Sequence, residues 1–318
     1  MKRLLLTLAL LCGMTVCCMA QDPYEDMSHE YIPQYFMDGA FLYPVLLVDL
    51  VDDFNEFDPI NSSLMYTYAQ LSSVMMGLKI EKERIEDNLS RIEEYLGCDN
   101  AIYGLALIPK AISEEEDLEI LLESAEVIAE SAGEDSWEYA LVMYLCSSIT
   151  LDIEKYGDSK KSLEYADKSM TILEDGYKGT WLHSLVKTSK GAAKLFAEDA
   201  SGFNDVLRTF ESFTDVTEQN YVTYLRIGVD LATLYTSLGY HDYSIQLAEE
   251  LEPILIDDVL VESEMYMAVN RTLCYAYAMK KNSKKAREYF DKAEQTCITR
   301  FGKDSKQYKG LQRYREML

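Results

Sequence analysis

Two ten-residue stretches of this chain are nearly identical and lie 124 residues apart: KKSLEYADKS at residues 160–169 and KKAREYFDKA at residues 284–293. Self-similarity of this kind is typical of repeat architectures, in which each unit buries its apolar face only against its neighbours. Because such arrays grow in one dimension, the 318 residues do not have to divide into compact domains of the usual size.

The sequence after residue 60 predicts helices almost throughout. Apolar residues recur there at spacings of three and four, and the whole chain has only six prolines. Turn-forming residues cluster at seven places, where we expect the helices to be interrupted. These breaks lie at residues 97–100, 133–136, 157–159, 199–202, 239–242, 281–283 and 302–305. The pattern predicts a string of helical hairpins, with a further hairpin formed by residues 62–77 and 80–96.

The last full unit carries the repeat pattern most clearly. Leu273 and Tyr277 lie on one predicted helix, a short turn follows, and Ala286, Phe290 and Ala293 lie on the next. In spacing and residue type this unit resembles the tetratricopeptide repeat. The preceding unit fits the same pattern through Leu231, Tyr235, Gly239, Ser244, Ala248 and Leu251. The resemblance covers about residues 98–299.

Second helices of successive units begin at the corresponding positions 117, 162, 206, 244 and 286, spaced by 45, 44, 38 and 42 residues. The common unit has about 34 residues, so these units are stretched and similar to those of kinesin light chains. The resemblance implies an all-α fold, a right-handed solenoid of antiparallel helical hairpins with capping helices. Residues 61–299 would form the array and residues 300–318 a C-terminal capping helix. Residues 21–60 are an acidic N-terminal segment, either a cap or a free arm.

Residues 1–20 have the anatomy of a secretory signal peptide. Lys2 and Arg3 precede an apolar run from residue 4 to 16, and a small residue stands before Gln21. We therefore expect an exported protein, periplasmic or extracellular. Cys17 and Cys18 leave a second reading open, in which one of them is lipidated and tethers the protein to a membrane. No later segment is long and apolar enough for a transmembrane helix.

The charge balance is strongly acidic and uneven. The net charge of −25 disfavours nucleic acid and anionic membranes as partners. Residues 21–78 contain ten acids and no Lys or Arg, whereas residues 280–318 contain twelve Lys or Arg against five acids. Head-to-tail association and two solvated faces of opposite sign are both compatible with this asymmetry, so the oligomeric state stays open.

No catalytic motif is present in the sequence. There is no phosphate-binding loop, no GxSxG, no HExxH and no EF-hand pattern. His183 and His241 lie in unrelated contexts, where structural or surface roles are expected. Asp52, Asp53 and Glu56 could bridge a hard cation, whereas Asp53, Asn55 and Asp58 do not have the spacing of a calcium loop. A solvated acidic turn is the simpler interpretation. We predict a non-catalytic protein without cofactor or metal.

Four cysteines remain after the signal: Cys98, Cys146, Cys274 and Cys297. An even number in an exported chain permits disulfides, and four cysteines allow three pairings. Their spacing matches no known framework and no CxxC occurs. Buried thiols that pack as small apolar side chains are the interpretation we favour, with the disulfide status left open.

The resemblance also implies where a partner would bind. In tetratricopeptide arrays the first helix of each unit lines the concave face, which assigns Arg271, Tyr275, Val229 and Thr233 to that groove. Arg226 and Tyr144, one turn earlier on their helices, would join them. An Arg there could bind a peptide carboxylate or pair with neighbouring acids. The predicted function is an exported scaffold that binds a peptide or protein segment. The alternative is a surface-associated component that binds glycans or nutrients, or a lipoprotein.

Overall fold

The computed structural model describes residues 31–41, 44–45, 59–113, 117–151, 156–256 and 258–318. All regular structure in these ranges is helical, as the periodicity predicts. The predicted signal peptide, Cys17, Cys18 and the acidic residues Asp52, Asp53 and Glu56 lie outside the described residues, as does most of the predicted N-terminal segment.

Fourteen α-helices and one 3₁₀ helix make up the described part of the chain. The helices are α1 Tyr31–Met37, α2 Pro59–Met76, α3 Lys82–Leu96, α4 Ala101–Ser113, α5 Leu118–Ser131, α6 Trp137–Thr150, α7 Ser159–Gly176, α8 Trp181–Phe196, α9 Ser201–Glu211, α10 Tyr221–Ser237, α11 His241–Leu255, α12 Glu264–Met279, α13 Ser283–Phe301 and α14 Lys306–Arg315. The 3₁₀ helix Asp258–Glu262 precedes α12.

From α2 onward the helices pack as consecutive pairs. α2 contacts α3, α4 contacts α5, and the same holds through α12 and α13. The first helix of each pair also contacts the first helix of the next pair. The second helix of each pair contacts that same helix, the first of the next pair. Consecutive helices therefore pack against one another, and each hairpin contacts the next one along the chain.

Side-chain caps and glycines fix where the helices begin and end. Ser136, Thr180, Ser263 and Ser305 each accept a hydrogen bond from the backbone three residues on, at the start of α6, α8, α12 and α14. All seven predicted breaks coincide with turns or helix starts. Among the interruptions absent from the predicted set are the turn at residues 177–180, the loop at residues 212–220, and the segment between α11 and α12 that contains the 3₁₀ helix.

Small side chains lie where the two helices of a hairpin cross. Ala286, Ser162 and Ser244 are fully buried, so the repeat register predicted these crossings correctly. The serines also bond across the crossing: Ser162 Oγ donates to Ser147 O at 2.8 Å, and Ser244 Oγ to Ala232 O at 2.9 Å. Asp117, aligned with Ala286, is instead the N-cap of α5, because this helix begins one turn later in its unit.

Glycine brings α8 and α9 closest together. A Cβ on Gly202 would lie 2.1 Å from the carbonyl oxygen of Gly191, and a Cβ on Gly191 would lie 2.8 Å from the oxygen of Gly202. Neither position accommodates a side chain without moving a backbone. This pair therefore sets the distance between the two helices.

The helix α2 is buried nearly all round. Thirteen of its 18 residues are buried, whereas a surface helix buries one stripe. Its C-terminal end contacts late parts of the chain. Met75 O accepts from Arg226 of α10 at 3.0 Å, Gly77 O from the amide of Glu264 at 2.9 Å, and Leu78 O from Arg300 of α13 at 3.2 Å. The first hairpin thus contacts the last one, and α2 is enclosed by helices from distant parts of the described chain.

The residues around α1 extend this internal packing. Phe36 and Phe41 are fully buried, and their rings meet the ring of Trp181 on α8 with centroid distances of 5.3 and 4.8 Å. The indole Nε1 of Trp181 donates to Met37 O at 2.9 Å. The described N-terminal residues are therefore held by α8 through both apolar and polar contacts.

Three of the four cysteines fit the prediction of buried thiols. Cys146, Cys274 and Cys297 are buried, whereas Cys98 is exposed, and all four are free. Cys98 lies in the turn between α3 and α4, where no helix covers it. The expectation of burial was thus wrong at this position. Burial raises the pKa of the Cys146 thiol to about 12 and that of Cys274 to about 11.

Candidate binding site

An open cavity of about 1010 Å³ lies between α7, α8 and α9. The exposed side of α8 forms part of its lining, and residues of α7 and α9 stand on either side. The turn at residues 177–180, the loop at residues 212–220 and the end of α1 complete the wall. Two of the interruptions absent from the predicted set, at residues 177–180 and 212–220, therefore contribute to this cavity.

Five cations line the cavity in a chain that is otherwise rich in acids. Lys187, Lys190 and Lys194 project from one side of α8, with Lys178 in the preceding turn and Arg208 on α9. Their spacing of three and four residues on α8 places the three lysines on the same face. The lining also contains four acids, Asp38, Glu174, Asp205 and Asp215.

Ion pairs neutralise three of these cations. Lys178 contacts Glu174 at 2.9 Å, Lys190 contacts Asp167 at 2.6 Å, and Lys194 contacts Asp205 at 2.6 Å. The hydrogen bond to Asp205 raises the pKa of Lys194. The side chains of Lys187 and Arg208 are exposed and form no hydrogen bond or ion pair with the described residues. They are the two cations of the cavity that remain available to an anion.

His183 joins α8 to α7 at the wall of the cavity. Its Nδ1 accepts from the amide of Gly179 at 3.4 Å, and its Nε2 lies 3.2 Å from Glu174 Oε1. This geometry matches the neutral tautomer with the proton on Nε2, which donates to the carboxylate. Hydrogen bonds from Lys178 and then from His183 lower the pKa of Glu174 to about 2. Both ring nitrogens are thus engaged, which supports the structural role expected for His183.

The predicted partner-binding residues lie away from this cavity, near the inside of the array. Tyr144 and Val229 are buried in the core. Arg226 holds the carbonyl end of α2, and Thr233 Oγ1 lies 3.1 Å from Thr272 Oγ1 of α12. The predicted Arg clamp therefore binds a helix end of its own chain. That these residues contact a partner stays a prediction.

Arg271 and Tyr275 on α12 are half-buried and complete the predicted set. The ring of Tyr275 lies between His241 and Tyr314, with centroid distances of 6.1 and 6.2 Å.

On α10, Asp230 follows Arg226 by one turn and is exposed, although much protein surrounds it. Partial desolvation raises the pKa of Asp230 to about 6, and Arg226 acts in the opposite direction.

A signal for the cavity was present in the sequence. Residues 176–197 contain four lysines and no acid, in a chain with 55 Asp and Glu. This acid-free stretch covers the turn before α8 and all of that helix. Its significance depends on α7 and α9 standing beside α8, which the poorer repeat pattern of this unit did not predict.

The described ranges contain no group of three or more His, Cys, Asp or Glu placed to hold a metal ion. No helix among those residues is long and apolar enough to cross a bilayer.

No family model matches the chain, and no curated protein matches it significantly. The tetratricopeptide resemblance therefore stays a prediction from the residues.

Proposed function

We propose that this protein is a non-catalytic, exported scaffold of the tetratricopeptide type, in which a right-handed array of helical hairpins binds a segment of a protein partner. The paired helices and the contacts between first helices of successive pairs support this fold. The stretched sequence units agree with the long helices, such as the 19 residues of α13.

One observation carries the proposed function: the open cavity of about 1010 Å³ between α7, α8 and α9. Small-molecule sites are usually enclosed and measure about 300–1,000 Å³. This cavity is at the upper limit of that range and is open to solvent. Charged, hydroxyl and amide side chains line most of it, together with Met37, Met170, Trp181 and Phe213. These properties suit an extended polypeptide segment better than a compact metabolite.

The cavity is a different binding surface from the one that the resemblance implies. The resemblance implies the inner face of the array, but there α2 contacts Arg226 and the core covers Tyr144 and Val229. Arg271 and Tyr275 remain the accessible part of the predicted set. We infer that a partner meets the cavity on α8 first, with Arg271 and Tyr275 as the second surface to test.

The test is site-specific photo-crosslinking in producing cells. A photoreactive residue replaces Lys187 in the cavity, Tyr275 on the inner face, or exposed Lys303 as a control. We expect one polypeptide adduct from position 187 that is absent from position 303. An adduct from position 275 alone would place the partner on the inner face, and no specific adduct from either position would contradict the proposed function.

Exposed tyrosines favour the alternative of a glycan-binding surface. Tyr240 and Tyr243 are 53% and 62% exposed, and Tyr243 stacks on Tyr235 with a centroid distance of 5.6 Å. Aromatic faces of this kind can stack on sugar rings. Trp181 is unsuited to that role because it is buried against Phe36 and Phe41. A glycan array with Tyr243→Ala as the control variant separates this alternative from peptide binding.

Export is tested by mass spectrometry of the mature N terminus. We expect cleavage before Gln21, because residues 1–20 have the anatomy of a signal peptide. An acylated Cys17 or Cys18 would identify a lipoprotein instead.

A further inference from the structure

We propose that the cavity between α7, α8 and α9 binds a carboxylate-rich, extended segment of the protein partner, with Lys187 and Arg208 as the side chains that contact its carboxylates. The polypeptide nature of the ligand rests on the proposed function. Its acidic character rests on the charges and pairing of the cavity.

The cavity departs from the charge balance of the chain. Overall, 30 Lys and Arg face 55 Asp and Glu, whereas the lining has five cations against four acids. An acidic segment would therefore be repelled less in the cavity than on the acidic parts of the chain. Residues 280–318, with twelve Lys or Arg against five acids, are more basic than the cavity, so the proposal rests on the two cations of the cavity whose side chains have no partner among the described residues.

Existing ion pairs determine which cations of the cavity can bind the carboxylates of a ligand. Lys178, Lys190 and Lys194 already contact carboxylates within 3 Å, so an incoming anion would have to replace an existing partner. Lys187 and Arg208 have none among the described residues. The first projects from α8 and the second from α9, so an anion between these helices would meet a charge from each. Arg208 can also bind a carboxylate through two parallel hydrogen bonds.

Neutral side chains suit the backbone of an extended segment. Ser184, Thr209, Gln219 and Asn220 line the cavity with hydroxyl and amide groups. Gln219 is exposed and has both a donor and an acceptor to offer. A polypeptide without regular structure presents unpaired N–H and C=O groups, and the Gln219 amide can pair with them. Ser184, Thr209 and Asn220 already bond to backbone groups of their own chain.

The walls of the cavity are held in place before any ligand binds. Lys194 and Asp205 join α8 to α9 at 2.6 Å, next to the glycine contact of Gly191 and Gly202. His183 and Glu174 join α8 to α7. Ordered walls lower the conformational entropy that binding costs, so two exposed cations can contribute measurably to affinity.

The test measures binding of fluorescent ten-residue peptides by anisotropy. The probe alternates Glu and Ser, and the comparison peptides alternate Gln and Ser or Lys and Ser. The site variant is Lys187→Glu/Arg208→Glu. Its matched control is Lys303→Glu/Arg287→Glu, which makes the same change in net charge at two exposed positions outside the cavity. Thermal unfolding of both variants checks that the fold is kept.

We expect the Glu–Ser peptide to bind, the comparison peptides not to bind, and the site variant to lose at least about tenfold in affinity. The control variant should lose less than about twofold, since exposed charges beyond a Debye length are screened. If the two variants lose affinity for the Glu–Ser peptide equally, the proposal is overturned, because the peptide is then attracted by the charge of the whole protein and not by the cavity. Tighter binding of an acidic oligosaccharide, such as oligogalacturonate, would also overturn it.

The two proposals fail in different ways. If the photo-crosslink at position 187 yields a polypeptide but the Glu–Ser peptide does not bind, the partner is a protein and its acidic character is contradicted. If no polypeptide is crosslinked at either tested surface, the proposed function itself is contradicted.

Discussion

Gly202 shows how a single residue determines the geometry of the candidate site. It allows α9 to approach the backbone of α8 at Gly191, and both helices line the cavity. We expect Gly202→Ala to destabilise the protein by about 1–3 kcal/mol, because a methyl group there overpacks a backbone contact. Gly310→Ala in α14 is the control: its Cβ would meet nothing within 4 Å, so it should stabilise by about 0.5–1 kcal/mol. Urea denaturation measures both, and equal effects would contradict the close contact.

The cysteines give a second prediction at this scale. Cys98 is exposed, while Cys146 and Cys274 are buried with raised pKa values. At pH 8 we expect iodoacetamide to label Cys98 in the native protein and the other two only after unfolding, since the thiolate is the reactive form. Peptide mapping by mass spectrometry reads out each site. Labelling of native Cys146 at the rate of Cys98 would be inconsistent with its burial.

Several residue positions could be predicted from the repeat register, and others could not. Ala286, Ser162 and Ser244 are buried at crossings because a small residue at a fixed spacing reports local packing. Arg226 was placed on the inner face, but its contact with Met75 joins residues 151 positions apart. A repeat pattern indicates which face of a helix packs inward, and it carries no information on what covers that face.

At the scale of elements, α1 depends on its contact with α8. The chain has two tryptophans, Trp137 and Trp181, and the ring of Phe36 lies 5.9 Å from the first and 5.3 Å from the second. We expect Phe36→Ala to cost about 3–5 kcal/mol and to shift tryptophan emission to the red as water reaches the indoles. The control Phe196→Ala removes a ring that is 49% exposed. Unchanged emission in Phe36→Ala would contradict the contact.

At the scale of elements, the helix boundaries lie close to the turn residues of the sequence. The same turn residues did not predict the cavity. The breaks at residues 177–180 and 212–220 were missed because the surrounding unit has a poor repeat pattern, with Phe210 and Phe213 in place of a regular crossing. The acid-free stretch of residues 176–197 was visible in the sequence. Its meaning required knowing that α7 and α9 stand on both sides of α8.

At the scale of the whole molecule, contacts between the first and last hairpins hold the array together. The Arg300 side chain is 8% exposed and donates to Leu78 O and to Glu264. We expect Arg300→Met to destabilise the protein by about 1–3 kcal/mol, because it removes the hydrogen bonds of a buried guanidinium to the part-buried Leu78 carbonyl and to Glu264. Arg287→Met on the same helix is exposed and should change stability by less than about 0.5 kcal/mol. If Arg300→Met and Arg287→Met change the free energy of unfolding equally, the contact of Arg300 has no structural role.

Contacts from α10, α12 and α13 at the C-terminal end of α2, together with the burial of thirteen of its 18 residues, indicate that α2 is enclosed by other helices in the free protein. Hydrogen–deuterium exchange of the free protein, read by mass spectrometry, tests this central claim most directly. If α2 is enclosed, its amides should exchange as slowly as those of the buried helix α6, through global unfolding. Exchange of α2 within minutes, while α6 stays protected, would show that α2 opens on its own and would contradict the claim.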